Sequence, residues 1–212
     1  PRAFGLTKLR ISEKSLQNKP ISVYYVPHPD DEVLTYGVPI RNDLDAGKIV
    51  YLILFTHGEG SAIITKLNKM ISPKKITARE IGVSRVREFL YAADALGVDS
   101  DHRDIYDPGK KNFKENLIKQ IALYFESLSS DVTHNGMSQL DILQEHSMTG
   151  RVLNALYKEG KIKKKNTYAS VYMSRFAKKQ VKGKHIKLKN PNDSRFIESA
   201  IMTYNRWDPN NG

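Results

Sequence analysis

The run Ile21-Ser22-Val23-Tyr24-Tyr25-Val26 stops against His28-Pro29-Asp30-Asp31-Glu32, and this junction leaves the chain few folds to adopt. A short stretch of β-branched and aromatic residues closed by proline reads as a buried strand. In open α/β sheets, ligands collect beyond the carboxyl ends of the strands, where the chain turns into the next helix. His28 and Asp31 can turn toward one point across a tight turn, with Asp30 beside it. Two readings stay open at this stage. Asp30 and Asp31 can cap the following helix, because carboxylates favour its positive end. Alternatively, the cluster binds a divalent cation. Zinc takes imidazole nitrogen and carboxylate oxygen, and in catalytic sites it keeps one position open for water.

The rest of the chain alternates in the same manner. Residues 30–46 read as a helix interrupted near Pro39 and closed by Gly47, and 48–55 as a central strand with almost no charge. Residues 56–75, with Gly58, Gly60 and Pro73, read as a long loop of the kind that lines sites. Thr77 and Glu80 form a capping box for a helix over 77–96 that Gly97 ends. A short strand over 102–106, a helix over 112–128, a strand end at 131–134 and a helix over 144–157 follow. Strands alternating with helices imply a mainly parallel sheet with right-handed crossovers. The expected fold is therefore α/β: a Rossmann-like, mainly parallel sheet flanked by helices. The whole of 1–212 is expected to form one domain, with 1–20 as an N-terminal extension and 158–212 as a basic part packed on it. That basic part is expected as a hairpin or helix appendage. Tyr168 to Met173 suggest one strand, and Ile186 with Leu188 another.

Composition removes several functions. The chain has no cysteine, so disulfides, thiolate metal sites and cysteine nucleophiles are excluded. Any metal must be held by carboxylates and by some of the six histidines. No apolar stretch is long enough for a membrane helix, so an integral membrane protein is not expected. The chain opens at Pro1 with no charged-then-apolar leader, which suits a cytoplasmic protein or an exported one after cleavage. The net charge of +11 resides in one stretch: residues 158–189 hold twelve Lys or Arg against a single acid, Glu159. Such a stretch is either a solvated face or a surface that draws anionic partners.

The run 25–32 resembles the opening motif of the PIG-L (LmbE-like) zinc-dependent N-deacetylases. Thr56-His57-Gly58-Glu59-Gly60 resembles the loop after the family's second strand. The segment from Arg85-Val86-Arg87-Glu88 to Leu96-Gly97-Val98 resembles its Arg-x-x-Glu helix. Asp131-Val132-Thr133-His134-Asn135 and Glu145-His146 resemble the fourth strand end and the third-ligand histidine. The likeness covers about residues 21–157.

The resemblance implies zinc, or another divalent transition metal, held by His28, Asp31 and His146. It further implies Asp30 as general base, His134 as helper at the carbonyl, and Arg85 as a contact to a substrate hydroxyl or phosphate. Read from the residues alone, His146 is a helix-start histidine, Arg85 a partner for Glu88, and His134 a strand-end histidine bonded to backbone. Many members carry a second histidine three residues before the ligand histidine. Leu143 stands there instead, so the role of that imidazole is absent or falls to His134 or another group. The implied function is zinc-dependent removal of an N-acetyl group from an N-acetylglucosamine-type sugar or glycoconjugate, neutral or anionic. The alternative is a binding module for anionic polymer or nucleic acid with a degenerate metal site. Nucleic acid is disfavoured, because no stacking aromatics are arrayed around the lysines.

Overall fold

The computed structural model describes residues 16–70, 73, 75–106, 113–176, 181 and 183–204. Strands β1 (Ile21–Val26), β2 (Ile49–Leu54), β3 (Arg103–Ile105), β4 (Val132–Met137) and β5 (Lys164–Tyr168) form one sheet in the order β3-β2-β1-β4-β5. Every pairing is parallel, with Tyr24 beside Leu52 of β2 on one side and Asn135 of β4 on the other. The chain fills the sheet outward from β1 through β2 to β3, then returns to β1's other side for β4 and β5. The direction therefore reverses between β1 and β4, and a crevice opens beyond their carboxyl ends.

The period of two along β1 sorts its side chains into two layers. Ile21, Val23 and Tyr25 enter a core with α5 (Glu115–Leu128) and α6 (Gln144–Lys158), around Phe55, Phe125 and Leu153. Tyr24 and Val26 enter the other, with α2 (Gly37–Asp45), α4 (Ala78–Leu96) and α8 (Ser194–Thr203), around Ile40, Phe89 and Leu96. The capping box at Thr77 and Glu80 is present, and Gly97 closes α4 at φ 82°, a conformation glycine adopts without cost.

Several boundaries differ from the sequence reading. The break in the first helix lies between α1 (Asp31–Leu34) and α2, ahead of Pro39. Pro39 occupies the first turn of α2, where an N–H has no intrahelical acceptor, so its missing donor is not felt. The expected loop over 56–75 contains a helix, α3 (Ile63–Met70). Helix α5 begins at Glu115, and Asn112, its expected start, lies outside the described residues. Among the described residues the appendage is strand and helix, the helix alternative of the two expected. Tyr168 ends β5, Val171–Phe176 is helix α7, and Ile186 and Leu188 lie in irregular backbone. Most of the expected N-terminal extension, residues 1–15, is outside the described residues.

The last helix is docked by specific contacts. Arg41 on α2 donates to Asp193 at 2.8 Å and to the Leu96 carbonyl at 2.8 Å. Asn42 donates to the Lys187 carbonyl at 2.9 Å and accepts from the Lys189 N–H at 2.8 Å. With its approach fixed in this way, α8 lies along α4 and brings the chain at Tyr204 back toward the end of β1.

Candidate active site at the carboxyl ends of β1 and β4

Past Val26 the chain is pinned at once. Thr56, just beyond β2, donates to the Pro27 carbonyl at 2.8 Å. The His28 N–H donates to Asp31 Oδ2 at 3.0 Å, which closes a tight turn and aims both side chains the same way. Asp30, within that turn, has φ 108° and is the only non-glycine residue with positive φ among the described residues. A backbone there costs on the order of 1–3 kcal/mol and persists only where its surroundings impose it. Here they do. The Asp30 N–H donates to Glu32 Oε2 at 3.0 Å, and Arg85 Nη2 donates to Asp30 Oδ2 at 2.7 Å and to the Pro29 carbonyl. Gly58 permits the approach of Arg85, since a Cβ there would lie 2.9 Å from its Nε.

The second arm comes from α6. Gly150 lets that helix lie directly on the end of β4, because a Cβ would fall 2.1 Å from the Met137 carbonyl oxygen. His146, one turn earlier and buried, is thereby set over the β1 turn. His146 Nε2 lies 3.1 Å from His28 Nδ1 and 3.2 Å from Asp31 Oδ2, while His28 Nδ1 and Asp31 Oδ2 are 3.4 Å apart. Three donor atoms thus share one small triangle, and no other such His/Asp/Glu group occurs among the described residues. Behind it, His146 Nδ1 sits 3.3 Å from Asp141 Oδ2. Asp141 in turn accepts from the Leu143 N–H at 3.0 Å and from the Ser170 hydroxyl. A carboxylate behind a ligating imidazole fixes its orientation and raises its basicity.

The electrostatics suit a cation. Burial alone would raise the Asp31 carboxyl, but His146 and His28 beside it bring it down to about 2. Burial would lower the His146 imidazole, yet Asp141 and Asp31 outweigh it and lift the pKa to about 9. Two imidazole nitrogens and a carboxylate oxygen aimed at one point repel one another unless positive charge lies between them. A proton meets that need, and so does a divalent metal, to which this N,N,O donor set is suited. Asp30 differs from its neighbour. Burial and the adjacent Asp31 push its carboxyl up to about 6 against the pull of Arg85.

A cavity of about 300 Å³ opens over the triangle, walled by Asp30, Arg85, His57, Glu59, Leu143 and Tyr172. His28, Asp30, Asp31, Arg85 and His146 therefore meet at one site. His134 does not. It pairs with Val23, three residues before the end of β1, and is fully buried. Its Nδ1 lies 2.8 Å from the Tyr25 hydroxyl and its Nε2 3.3 Å from Glu126 Oε1, so it faces the α5 layer. A role for His134 at a substrate carbonyl is corrected accordingly. Arg85 does line the cavity, but its guanidinium is engaged by Asp30 rather than by Glu88. Among the described residues no lysine lines the cavity.

Asp141, Tyr172 and Tyr204 had no sequence signal. Tyr172 edges His146 at a 6.1 Å ring separation, and Tyr204 donates to Glu32 Oε1. They reach the site only through tertiary packing.

Comparison with known proteins bears on family and fold. The sequence model of the GlcNAc-PI de-N-acetylase (PIG-L) family matches residues 23–157. No curated protein matches. Among solved structures, the zinc-inhibited form of teicoplanin deacetylase Orf2 is similar at TM-score 0.59 and 13% identity, over 87% of this chain and 83% of that one. The N,N'-diacetylchitobiose deacetylase of Pyrococcus horikoshii is similar at 0.51 and 16%, over 89% and 74%. GalB, the 4-carboxy-2-hydroxymuconate hydratase of Pseudomonas putida KT2440, is similar at 0.51 and 16%, over 64% of this chain and 55% of that one. At these identities the likeness shows the fold alone. A hydratase and two deacetylases share it, so the reaction must be argued from the site.

Proposed function

The chain belongs to the GlcNAc-PI de-N-acetylase (PIG-L) family, and from that premise we propose that it is a metal-dependent hydrolase removing the N-acetyl group of an N-acetylglucosamine-type sugar or glycoconjugate. Family membership supports the coarser reading, a hydrolytic deacetylase. The finer one is carried by a single observation: a triangle of two imidazole nitrogens and a carboxylate oxygen lies in a cavity beside the partly exposed carboxylate of Asp30. Nothing in the structure or the comparisons favours the anionic-polymer module.

His28 Nδ1, Asp31 Oδ2 and His146 Nε2 would hold the cation, zinc first among candidates. When bound, it supplies Lewis acidity toward water and toward the amide carbonyl. Asp30 takes a proton from the attacking water as the water oxygen bonds to the acetyl carbon. A carboxyl with a pKa of about 6 is ionised enough at neutral pH to accept that proton and acidic enough to return it. Asp30 then delivers it to the departing nitrogen as the C–N bond breaks, leaving acetate and the free amine. Arg85 keeps Asp30 in place throughout. His57, Glu59 and Tyr172 offer polar and aromatic groups on the cavity wall to sugar hydroxyls and ring faces.

The test is amine release from a panel of N-acetylglucosamine derivatives. Turnover should vanish with chelator and return on adding zinc. Turnover indifferent to chelation would contradict the metal-dependent mechanism.

A further inference from the structure

We propose that Tyr204, outside the stretch that matches the family, is a positioning residue for Asp30, acting through Glu32. This rests on the deacetylase reading above. Asp30 does its work from a backbone conformation that a non-glycine residue enters only under constraint. The constraint on its N–H is Glu32 Oε2, at 3.0 Å. Glu32 itself has no exposure to solvent, so its two oxygens must both find donors within the protein. One takes the Asp30 N–H and the other takes the Tyr204 hydroxyl. Remove that hydroxyl and Oε1 loses its tyrosine donor. A carboxyl that turns to recover a partner is drawn away from the Asp30 N–H.

Tyr204 also faces the second brace. The Arg85 guanidinium carbon lies 5.9 Å from its ring centroid, and Arg85 holds Asp30 Oδ2 and the Pro29 carbonyl. One side chain therefore abuts both groups that fix the turn. Its own position is set by the docking of α8. Thr203, the residue before it, donates to the Ala200 carbonyl at 2.8 Å and to the Glu88 carbonyl of α4 at 3.4 Å. The last helix is thus wired to the aim of the general base while touching none of the three metal-facing atoms.

The experiment is Tyr204→Phe in the full chain, which keeps ring and volume and removes only the hydroxyl. We expect kcat to fall about tenfold, the order set by one lost buried hydrogen bond. KM and zinc affinity should stay within about twofold. The Asp30 backbone amide, followed by hydrogen exchange in a labelled sample, should exchange at least about tenfold faster. A Tyr204→Phe chain with wild-type kcat and unchanged Asp30 exchange overturns the proposal. Should the wild-type chain release no amine from any substrate, the deacetylase reading is what fails. Asp30 exchange in Tyr204→Phe then decides the brace by itself.

Discussion

Asp30→Asn is expected to lower kcat by about a thousandfold while the chain still binds one zinc ion. Asparagine is the informative substitution at this position. It tolerates the left-handed backbone region better than alanine does, so φ 108° can be kept. Its side-chain oxygen can still accept from Arg85 Nη2, and its N–H can still meet Glu32. What disappears is basicity alone. A positioned general base contributes roughly 10²–10⁴ to rate, and Asp30 is asked both to take the proton from water and to return it to the amine. The metal-facing atoms of His28, Asp31 and His146 are untouched by the change. Zinc stoichiometry near one with turnover at background is the result that assigns the base. Retained turnover would remove Asp30 from the reaction.

His146→Ala should weaken zinc binding by at least about a hundredfold and reduce turnover to background together with it. Losing a group behind a metal ligand already costs about 10–100-fold in affinity, and losing a ligand costs more. The site offers no replacement. His134 is buried against Tyr25 and Glu126, Leu143 carries no donor, and no further His/Asp/Glu group converges there among the described residues. The substitution also leaves Asp31 and Asp141, both buried, without the imidazole that separates them. The metal-free variant should therefore be less stable than the metal-free parent. Direct zinc titration and a thermal melt measure the two effects. Near-wild-type affinity would mean that the cation, if bound, sits elsewhere.

How much of this was legible beforehand depends on distance along the chain. Strand β1 and the cluster after it are local: six residues of one pattern and five of another, readable without knowledge of anything else. The meeting of His28 with His146 needed one further inference, that β1 and β4 end on the same edge of the sheet, and the parallel register of Tyr24 with Asn135 bears this out. His134 was misplaced because alternation along β4 sends it to the α5 layer three residues short of the strand end level, a matter of register that composition does not reveal. Strand β5, Lys-Lys-Asn-Thr-Tyr, has no apolar period and exists because β4 offers it a pairing edge. Asp141 and Tyr204 carry no local mark at all. A tyrosine 172 positions from its carboxylate partner becomes meaningful only once α8 is packed on α4. The basic stretch was plain as charge, yet none of its described lysines lines the cavity.

The central claim is that segments more than a hundred residues apart close on one cation. It is tested most directly by zinc-edge anomalous diffraction from crystals of the zinc-loaded chain. The account predicts a single strong peak within bonding distance, about 2.0–2.2 Å, of His28 Nδ1, Asp31 Oδ2 and His146 Nε2. A peak that excludes any one of these three atoms, or no peak at this triangle in a chain that binds zinc in solution, would contradict it.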